Sequence, residues 1–378
     1  MLKRTWLVAM ATAMGLAYTS AASAFDFMQP LPAQVPVPDA NPLSDAKIEL
    51  GKQLYFDRRL SLTGTVSCNS CHNVMAGGQD DRAVSVGALG KSGRRNAPTV
   101  WNVAFQTVLY WDGRARSLEE QLHSHFLDET VMAMPDAAAV SERLAQIPGY
   151  REEFATAFGA KEPVDLENAA KAIATYVRTL VTPDSAFDRY IRGDKAALSE
   201  QAQRGLARFR DIGCMSCHFG VNFAGPAPGP YLKMGDGFYE LFPNFVGSKY
   251  DAQYKLTDDV GRYDFSRDPG ERRMFRLPTL RNIALTAPYF HNGSVATLSE
   301  AVRVMARAEL NVTLSDQDTR DIVAFLESLT GRFPAQTLPQ LPPTPHETVW
   351  AWQQTGSRDA ALHAKNDDPR RPDRRVNE

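Results

Sequence analysis

The chain has 378 residues, 43% of them hydrophobic, and a formal net charge of −2. That length exceeds one ordinary domain, and the composition allows two units with real cores while giving no electrostatic reason to expect nucleic acid. After the first residues, no stretch reaches the run of about 20 apolar residues that a transmembrane helix needs.

The N-terminus begins with the charged pair Lys3 and Arg4. An apolar run from Trp6 to Tyr18 follows, too short to span a bilayer, and then Ala22-Ser23-Ala24, an A-x-A site. Residues 1–24 read as a signal peptide cleaved after Ala24, which places the mature chain in the periplasm; an uncleaved anchor is the minor alternative. Next comes Gly51-Lys52-Gln53-Leu54-Tyr55, a G-x-x-x-aromatic stretch ahead of Cys68-Asn69-Ser70-Cys71-His72. The latter is C-x-x-C-H, the attachment signature of a c-type haem: two thiols add to the haem vinyl groups and the histidine reaches the iron. A bare C-x-x-C could instead be redox-active or half of a zinc site. Here the same pattern returns at Cys214-Met215-Ser216-Cys217-His218, and the two stretches hold all 4 cysteines. Two haems are therefore expected. Covalent haem attachment takes place outside the bacterial cytoplasm, in agreement with an exported chain.

Between the motifs, Leu166 to Leu180 places Leu166, Ala169, Ala170, Ile173, Val177 and Leu180 on one helical face, with Asp165 as cap and Pro183 as stop. A boundary is expected near Ile191-Arg192-Gly193-Asp194. Gly205 to Phe209 then repeats the G-x-x-x-aromatic pattern ahead of the second motif. Residues 219–275, rich in Gly, Pro and aromatics, read as long loops. Asp316 to Thr330 forms a second closing helix, capped by Ser315 and ended at Gly331, with Ile322, Phe325, Leu326 and Leu329 on its apolar face. The two closing helices share a pattern, Ile173-x-x-Tyr176-Val177 against Ile322-x-x-Phe325-Leu326. After Arg332 the chain turns Pro-rich and charged, too polar to pack alone. Trp350 and Trp352 would pin this tail to the body or, less simply, serve as oxidisable residues.

The expected fold is mostly α: two cytochrome c-like domains, each around one covalently bound c-type haem, with long irregular loops. Their extents are residues 25–192 and 193–335, with a partly disordered tail over 336–378.

Arg95-Asn96-Ala97-Pro98-Thr99, Tyr110-Trp111-Asp112-Gly113-Arg114, Leu118-Glu119-Glu120-Gln121, Leu277-Pro278-Thr279 and Ala287-Pro288-Tyr289-Phe290-His291-Asn292-Gly293 complete the pattern. With the two C-x-x-C-H sites, and over about Leu43 to Pro334, the chain resembles the bacterial di-haem cytochrome c peroxidases, a family that includes MauG-type enzymes. The resemblance implies that the haem on His72 is the peroxide site and the haem on His218 the electron entry site. Met305 matches the sixth ligand of the second haem, where a soft thioether raises the potential. Trp111 matches a tryptophan between the haems that carries electrons or holds their edges in register. Asn96, with the carbonyls of Thr286 and Pro288, matches a calcium site. Gln121 matches a polar residue of the peroxide pocket.

Two departures from the family pattern stand out. The family's resting peroxidases ligate the first iron with a histidine from the loop after the first motif, and Ala88 holds that place here. The first iron should then be open to peroxide without prior reduction. The family's distal glutamate is replaced by Val131, ahead of Met132. Valine cannot move a proton. His125, where the family usually has proline, and Glu129 are the two substitutes, unless neither takes the role and the histidines at 123 and 125 lie on the surface. The expected function is a peroxidase reducing hydrogen peroxide with electrons from a small periplasmic cytochrome c or copper protein. The alternative is a MauG-type enzyme oxidising Trp or Tyr of a protein substrate, favoured by the lost histidine and glutamate. A mere electron carrier fits poorly with an open iron. A second copy of the chain, as a homodimer, is a further expected partner.

Overall fold

The computed structural model describes residues 28–344 except Tyr231. The signal segment, Trp350, Trp352 and the end of the tail lie outside the described residues. In chain order the α-helices are α1 (Asp45–Phe56), α2 (Cys68–Cys71), α3 (Leu118–Leu127), α4 (Ala137–Ala145), α5 (Pro148–Phe158), α6 (Leu166–Arg178), α7 (Ala186–Ile191), α8 (Glu200–Asp211), α9 (Lys249–Tyr254), α10 (Tyr263–Ser266), α11 (Leu298–Leu310) and α12 (Asp316–Glu327). The only sheet among the described residues is the antiparallel pair β1 (Tyr239–Leu241) and β2 (Met274–Arg276), with Tyr239 opposite Arg276. The fold is mostly helical, as expected.

Side-chain caps start the main helices. Ser44 accepts from Lys47 N at α1, Asp165 from Asn168 N at α6, Ser199 from Ala202 N at α8 and Ser315 from Asp318 N at α12. The two closing helices end two and three residues earlier than their apolar pattern. Leu180 N turns back to Val177 O and Thr330 N to Glu327 O, so the final turn tightens to three-residue spacing. Residues 219–275, expected as loops alone, also hold α9, α10 and both strands. Elements of three to six residues are too short for periodicity to reveal.

In each half an early helix crosses the closing helix at a glycine. A Cβ at Gly51 would run into the carbonyl of Ala172 on α6, and one at Gly205 into the carbonyl of Asp321 on α12. The aromatic four residues later packs on a ring of the closing helix in both crossings, Tyr55 edge-on to Tyr176 at 5.3 Å and Phe209 tilted against Phe325 at 5.2 Å. The G-x-x-x-aromatic repeat is thus a helix-crossing device: glycine admits the backbone and the ring fills the next turn. Around α1 and α6 gathers one apolar core, including Leu50, Leu54, Tyr150 and Ile173; Phe187 of α7 joins Phe209, Phe223 and Phe325 of the second half in another. The tail as far as Thr344 lies on the first half, with Arg59 donating to Pro342 O and Thr344 Oγ1 and Tyr176 donating to Gln336.

The repeat extends through the middle of each half at a constant offset of 180 residues. Pro98, Thr99 and Asn102 correspond to Pro278, Thr279 and Asn282, and Leu118 to Leu298. Geometry follows the register. Asn102 and Asn282 are both left-handed (φ 62° and 61°), as are Tyr110 and Phe290 (65° and 70°). The bridge Leu109–Ala115 matches Tyr289–Val295, and Ser117 caps α3 as Thr297 caps α11.

The two asparagines meet at Thr182. Asn102 Nδ2 and Asn282 Nδ2 both donate to Thr182 Oγ1, at 2.8 and 2.9 Å, and Thr182 N donates back to Asn102 Oδ1 at 2.9 Å. All three residues are fully buried. Thr182→Val keeps the shape but strands two amide donors, and should destabilise the folded protein by about 2 kcal/mol or more. Urea denaturation checks this; a shift below about 0.5 kcal/mol would mean that the contact is dispensable.

Candidate active site between the two repeats

Both C-x-x-C-H motifs open onto one cavity of about 760 Å³, which is also lined by Trp111, Gln121, His125, Arg276, His291 and Met305. His72 and His218 face it with one ring nitrogen already engaged. Nδ1 of His72 lies 3.0 Å from the carbonyl of Pro98, and Nδ1 of His218 lies 3.0 Å from that of Phe223. A carbonyl only accepts, so Nδ1 carries the proton in each ring and Nε2 is the basic nitrogen. Burial pushes both pKa values down, keeping the rings neutral. That is the state and tautomer a metal-binding histidine needs.

Burial also pushes the thiols of Cys68, Cys214 and Cys217 up to about 12 and raises that of Cys71. These cysteines are not poised as thiolates for disulfide exchange. Among the described residues no three His, Cys, Asp or Glu side chains gather as a metal-ion site, so the motifs are not two halves of a zinc centre. The chemistry of the cavity fits a haem at each motif. Its walls carry apolar side chains, while Arg276 offers a buried cation with no carboxylate partner among the described residues. Its Nε and Nη1 donate to the carbonyls of Tyr110 and Leu277, and burial lowers its pKa to about 10. Nε2 of His291 is likewise buried without a hydrogen-bond partner, and burial lowers that ring to about 4. Groups of this kind suit the acidic edge of a porphyrin.

Trp111 and His291 are repeat mates, 180 positions apart, and they face each other edge to face with ring centres 6.3 Å apart. Trp111 Nε1 donates to Asn96 O at 2.8 Å, and Asn96 N donates to His291 O at 2.7 Å. Asn96 is thereby held against the segment bearing Thr286 and Pro288, all three lining the same cavity. Its side-chain Nδ2 donates to Arg82 O. Arg95 binds the halves together: it reaches Asp112 at 2.6 Å and Asp259 at 2.7 Å, all three side chains being nearly buried.

The two substitute residues differ in exposure. Glu129 lines the cavity at its solvent-facing rim, its side chain 69% exposed and paired with Lys91 at 2.6 Å. His123 is also exposed. His125 lies inside, its ring centre 6.5 Å from that of His72 with planes 26° apart, and Tyr110 packs edge-on against it at 5.1 Å. Burial first, then His72 and Arg114, push its pKa down to about 3, so the ring is neutral. Gln121 stands one turn earlier on the same helix and also lines the cavity. Ala88 and Val131, the two departures, are neighbours: Ala88 N donates to Val131 O at 2.8 Å. Met305 lies on α11 and lines the same cavity. Sequence reasoning missed the parts played by Arg95, Arg276 and His291. The constant repeat register was the available signal, since it sets His291 opposite Trp111.

A family model described as di-haem cytochrome c peroxidase matches residues 45–196. The chain is 41% identical over 321 residues to the cytochrome c551 peroxidase of Pseudomonas aeruginosa, covering 85% of this chain and 89% of that one. It is 37% identical over 328 residues to the methylamine utilization protein MauG of Methylorubrum extorquens, covering 82% and 86%. Among solved structures it is similar to a MauG-like protein associated with microbial copper homeostasis, with a TM-score of 0.70, 30% identity and coverage of 84% and 99%.

Replacing Arg95 by Leu leaves Asp259 without its cation and should cost about 3 kcal/mol. Burial alone would raise the Asp259 pKa, but the hydrogen bond and charge of Arg95 overcome it and hold it below the usual aspartate range. A depressed carboxylate pKa stabilises the fold at pH above its ordinary value, and that contribution is lost as the pH falls. The stability gap between wild type and Arg95→Leu should therefore be largest near pH 7 and shrink as the pH falls toward and through the ordinary aspartate range of about 4. Denaturation midpoints across that range measure it, and a gap independent of pH would remove the Asp259 pair as its source.

Proposed function

The chain belongs to the di-haem cytochrome c peroxidase family, and from that premise we propose that it is an exported, periplasmic peroxidase. It reduces hydrogen peroxide to two waters, using two protons and two electrons from a small cytochrome c or copper protein. The observation that carries this reading is the single cavity that both C-x-x-C-H motifs share, with Trp111 in its wall. When bound, the two haems supply the redox-active iron on which peroxide is reduced. Cys68 and Cys71 would hold one covalently and Cys214 and Cys217 the other, with His72 and His218 offering Nε2 to the iron. Met305 would offer its thioether to the second. A calcium ion held by Asn96 Oδ1 and the carbonyls of Thr286 and Pro288 would brace the interface where the halves meet.

The residues around the first site divide the work. Gln121 offers an amide to hydrogen-bond peroxide. His125, neutral and inside, takes the proton from one peroxide oxygen and returns it to the leaving oxygen. Glu129, at the solvent-facing rim and paired with Lys91, takes no part. Trp111 bridges the halves, its Nε1 fixed by Asn96, and gives electrons a short path or holds the two sites in register. A second reading, oxidation of Trp or Tyr in a partner protein, is favoured by one observation: Ala88 and Val131 stand where a peroxidase of this family has its histidine and glutamate.

Steady-state oxidation of a reduced small cytochrome c or copper protein by hydrogen peroxide tests the choice. Sustained turnover is expected. Gln121→Ala should slow it by roughly 10²-fold, the usual loss for a preorganised donor, while Glu129→Gln should match wild type. A comparable loss in Glu129→Gln would move the proton transfer to that residue, and negligible turnover with every donor would favour the protein-modifying enzyme. Separately, Met305→Ala should keep both covalent haems but lose the near-infrared methionine–iron band; a persisting band would put the ligand elsewhere.

A further inference from the structure

We propose that His125 is itself an iron ligand, binding the first haem opposite His72 in the oxidised protein and giving way to peroxide. This rests on the reading of His72 as the proximal ligand.

The repeat supplies the first argument. At the constant offset of 180 residues, His125 on α3 corresponds to Met305 on α11. Both helices begin at matching caps, Ser117 and Thr297, each accepting from the glutamate three residues on. No insertion separates the caps from positions 125 and 305. The scaffold that presents a thioether to the cavity at 305 therefore presents an imidazole to it at 125.

Distance supplies the second. A metal–imidazole bond is about 2.0–2.1 Å, so two rings on opposite sides of one metal have centres about 6.3 Å apart. The observed separation of His72 and His125 is 6.5 Å, with planes 26° apart. A histidine serving only as a base must leave room for peroxide. With an oxygen on the metal and a hydrogen bond of about 2.8 Å beyond it, the centres would stand about 8 Å apart or more. The observed gap is the width of a shared metal, not of a metal plus substrate.

The surroundings agree. No hydrogen bond engages either nitrogen of His125 among the described residues, so one of them stays available to a metal. The loop that would carry the family's histidine ligand has Ala88 instead, tied by its N–H to Val131 O at 2.8 Å. Both side chains there are small and neither competes for the metal. The backbone under His125 is firm: Met132 N donates to its carbonyl at 3.3 Å and Met134 N to that of Phe126 at 2.9 Å. A ligand on a helix leaves by side-chain rotation rather than by loop movement. Once displaced it remains beside the peroxide as the base. The loss of the loop histidine thus does not leave the first iron open; the ligand has moved from loop to helix.

Low-temperature electron paramagnetic resonance of the fully oxidised, haem-loaded protein tests this. Wild type should show two low-spin ferric haems per chain. His125→Ala should convert one to high-spin while keeping both covalent haems and the methionine–iron band, and added imidazole should restore the low-spin signal. Azide should bind the variant more tightly than wild type by roughly tenfold or more, the factor by which His125 holds the position. One stoichiometric high-spin haem in wild type would overturn the proposal, and this readout needs no variant to fold. Two low-spin haems in a protein without peroxidase turnover would keep the ligand and remove the peroxidase reading.

Discussion

A single threonine hydroxyl joins the two halves. Thr182 Oγ1 accepts from the amides of Asn102 and Asn282, which occupy equivalent left-handed positions in the repeat. A hydroxyl has two acceptor sites and one donor, and with Thr182 Oγ1 also donating to Asn282 Oδ1 at 3.3 Å all are used. In a dry interior each of these groups would be costly to leave unpaired, which makes the arrangement specific in position as well as favourable. Everything downstream of the two asparagines is measured from this point. Nine residues beyond each lies the wall residue of the shared cavity, Trp111 in one half and His291 in the other.

Charge reinforces the same interface. Arg95 of the first half spans Asp112 and Asp259, and Arg281 forms a fully buried pair with Asp188 at 2.9 Å. Arg281 also donates to Gln29 O, and Asp188 accepts from Leu31 N, so the pair ties down the N-terminal segment as well. Buried pairs gain little net stability because desolvation offsets their attraction, but a displaced partner would leave a bare charge inside. Such contacts specify geometry. Exposed pairs such as Lys91–Glu129 constrain nothing of the kind. A protein that moves electrons between two fixed centres needs the first type.

Legibility in the sequence followed the range over which each physical rule acts. The haem motifs were plain because covalent attachment needs its three residues within one turn. The G-x-x-x-aromatic repeat was visible, but its role as a helix crossing was not, because the carbonyls that only glycine admits at Gly51 and Gly205 belong to distant helices. α6 and α12 were visible through long periodic faces, although their last turns tightened beyond what periodicity reports. The strand pair was hidden because three residues carry no pattern. Choosing between His125 and Glu129 was beyond local reasoning: both fit a short spacing from Gln121 and both line the cavity, and only in the packed chain does Glu129 meet Lys91 while the ring of His125 comes near that of His72. Arg276 was invisible because its meaning lies in the acid it lacks.

The repeat also says where the two halves must differ. With a similar scaffold on both sides, chemical asymmetry at the cavity comes from the pairs that differ, and three of them bear on peroxide. Trp111 stands against His291, Gln121 against Ala301, and His125 against Met305. Alanine offers no hydrogen bond to a bound oxygen, and a thioether does not move protons. The second half therefore has no group at positions 301 or 305 to bind or protonate peroxide. The first half has both an amide and an imidazole at the equivalent positions. If Met305 ligates the second metal, as proposed, its soft sulfur would favour the reduced state and suit a site that receives electrons and hands them on. These three pairs support the proposed direction, with electrons entering at the second motif and peroxide at the first.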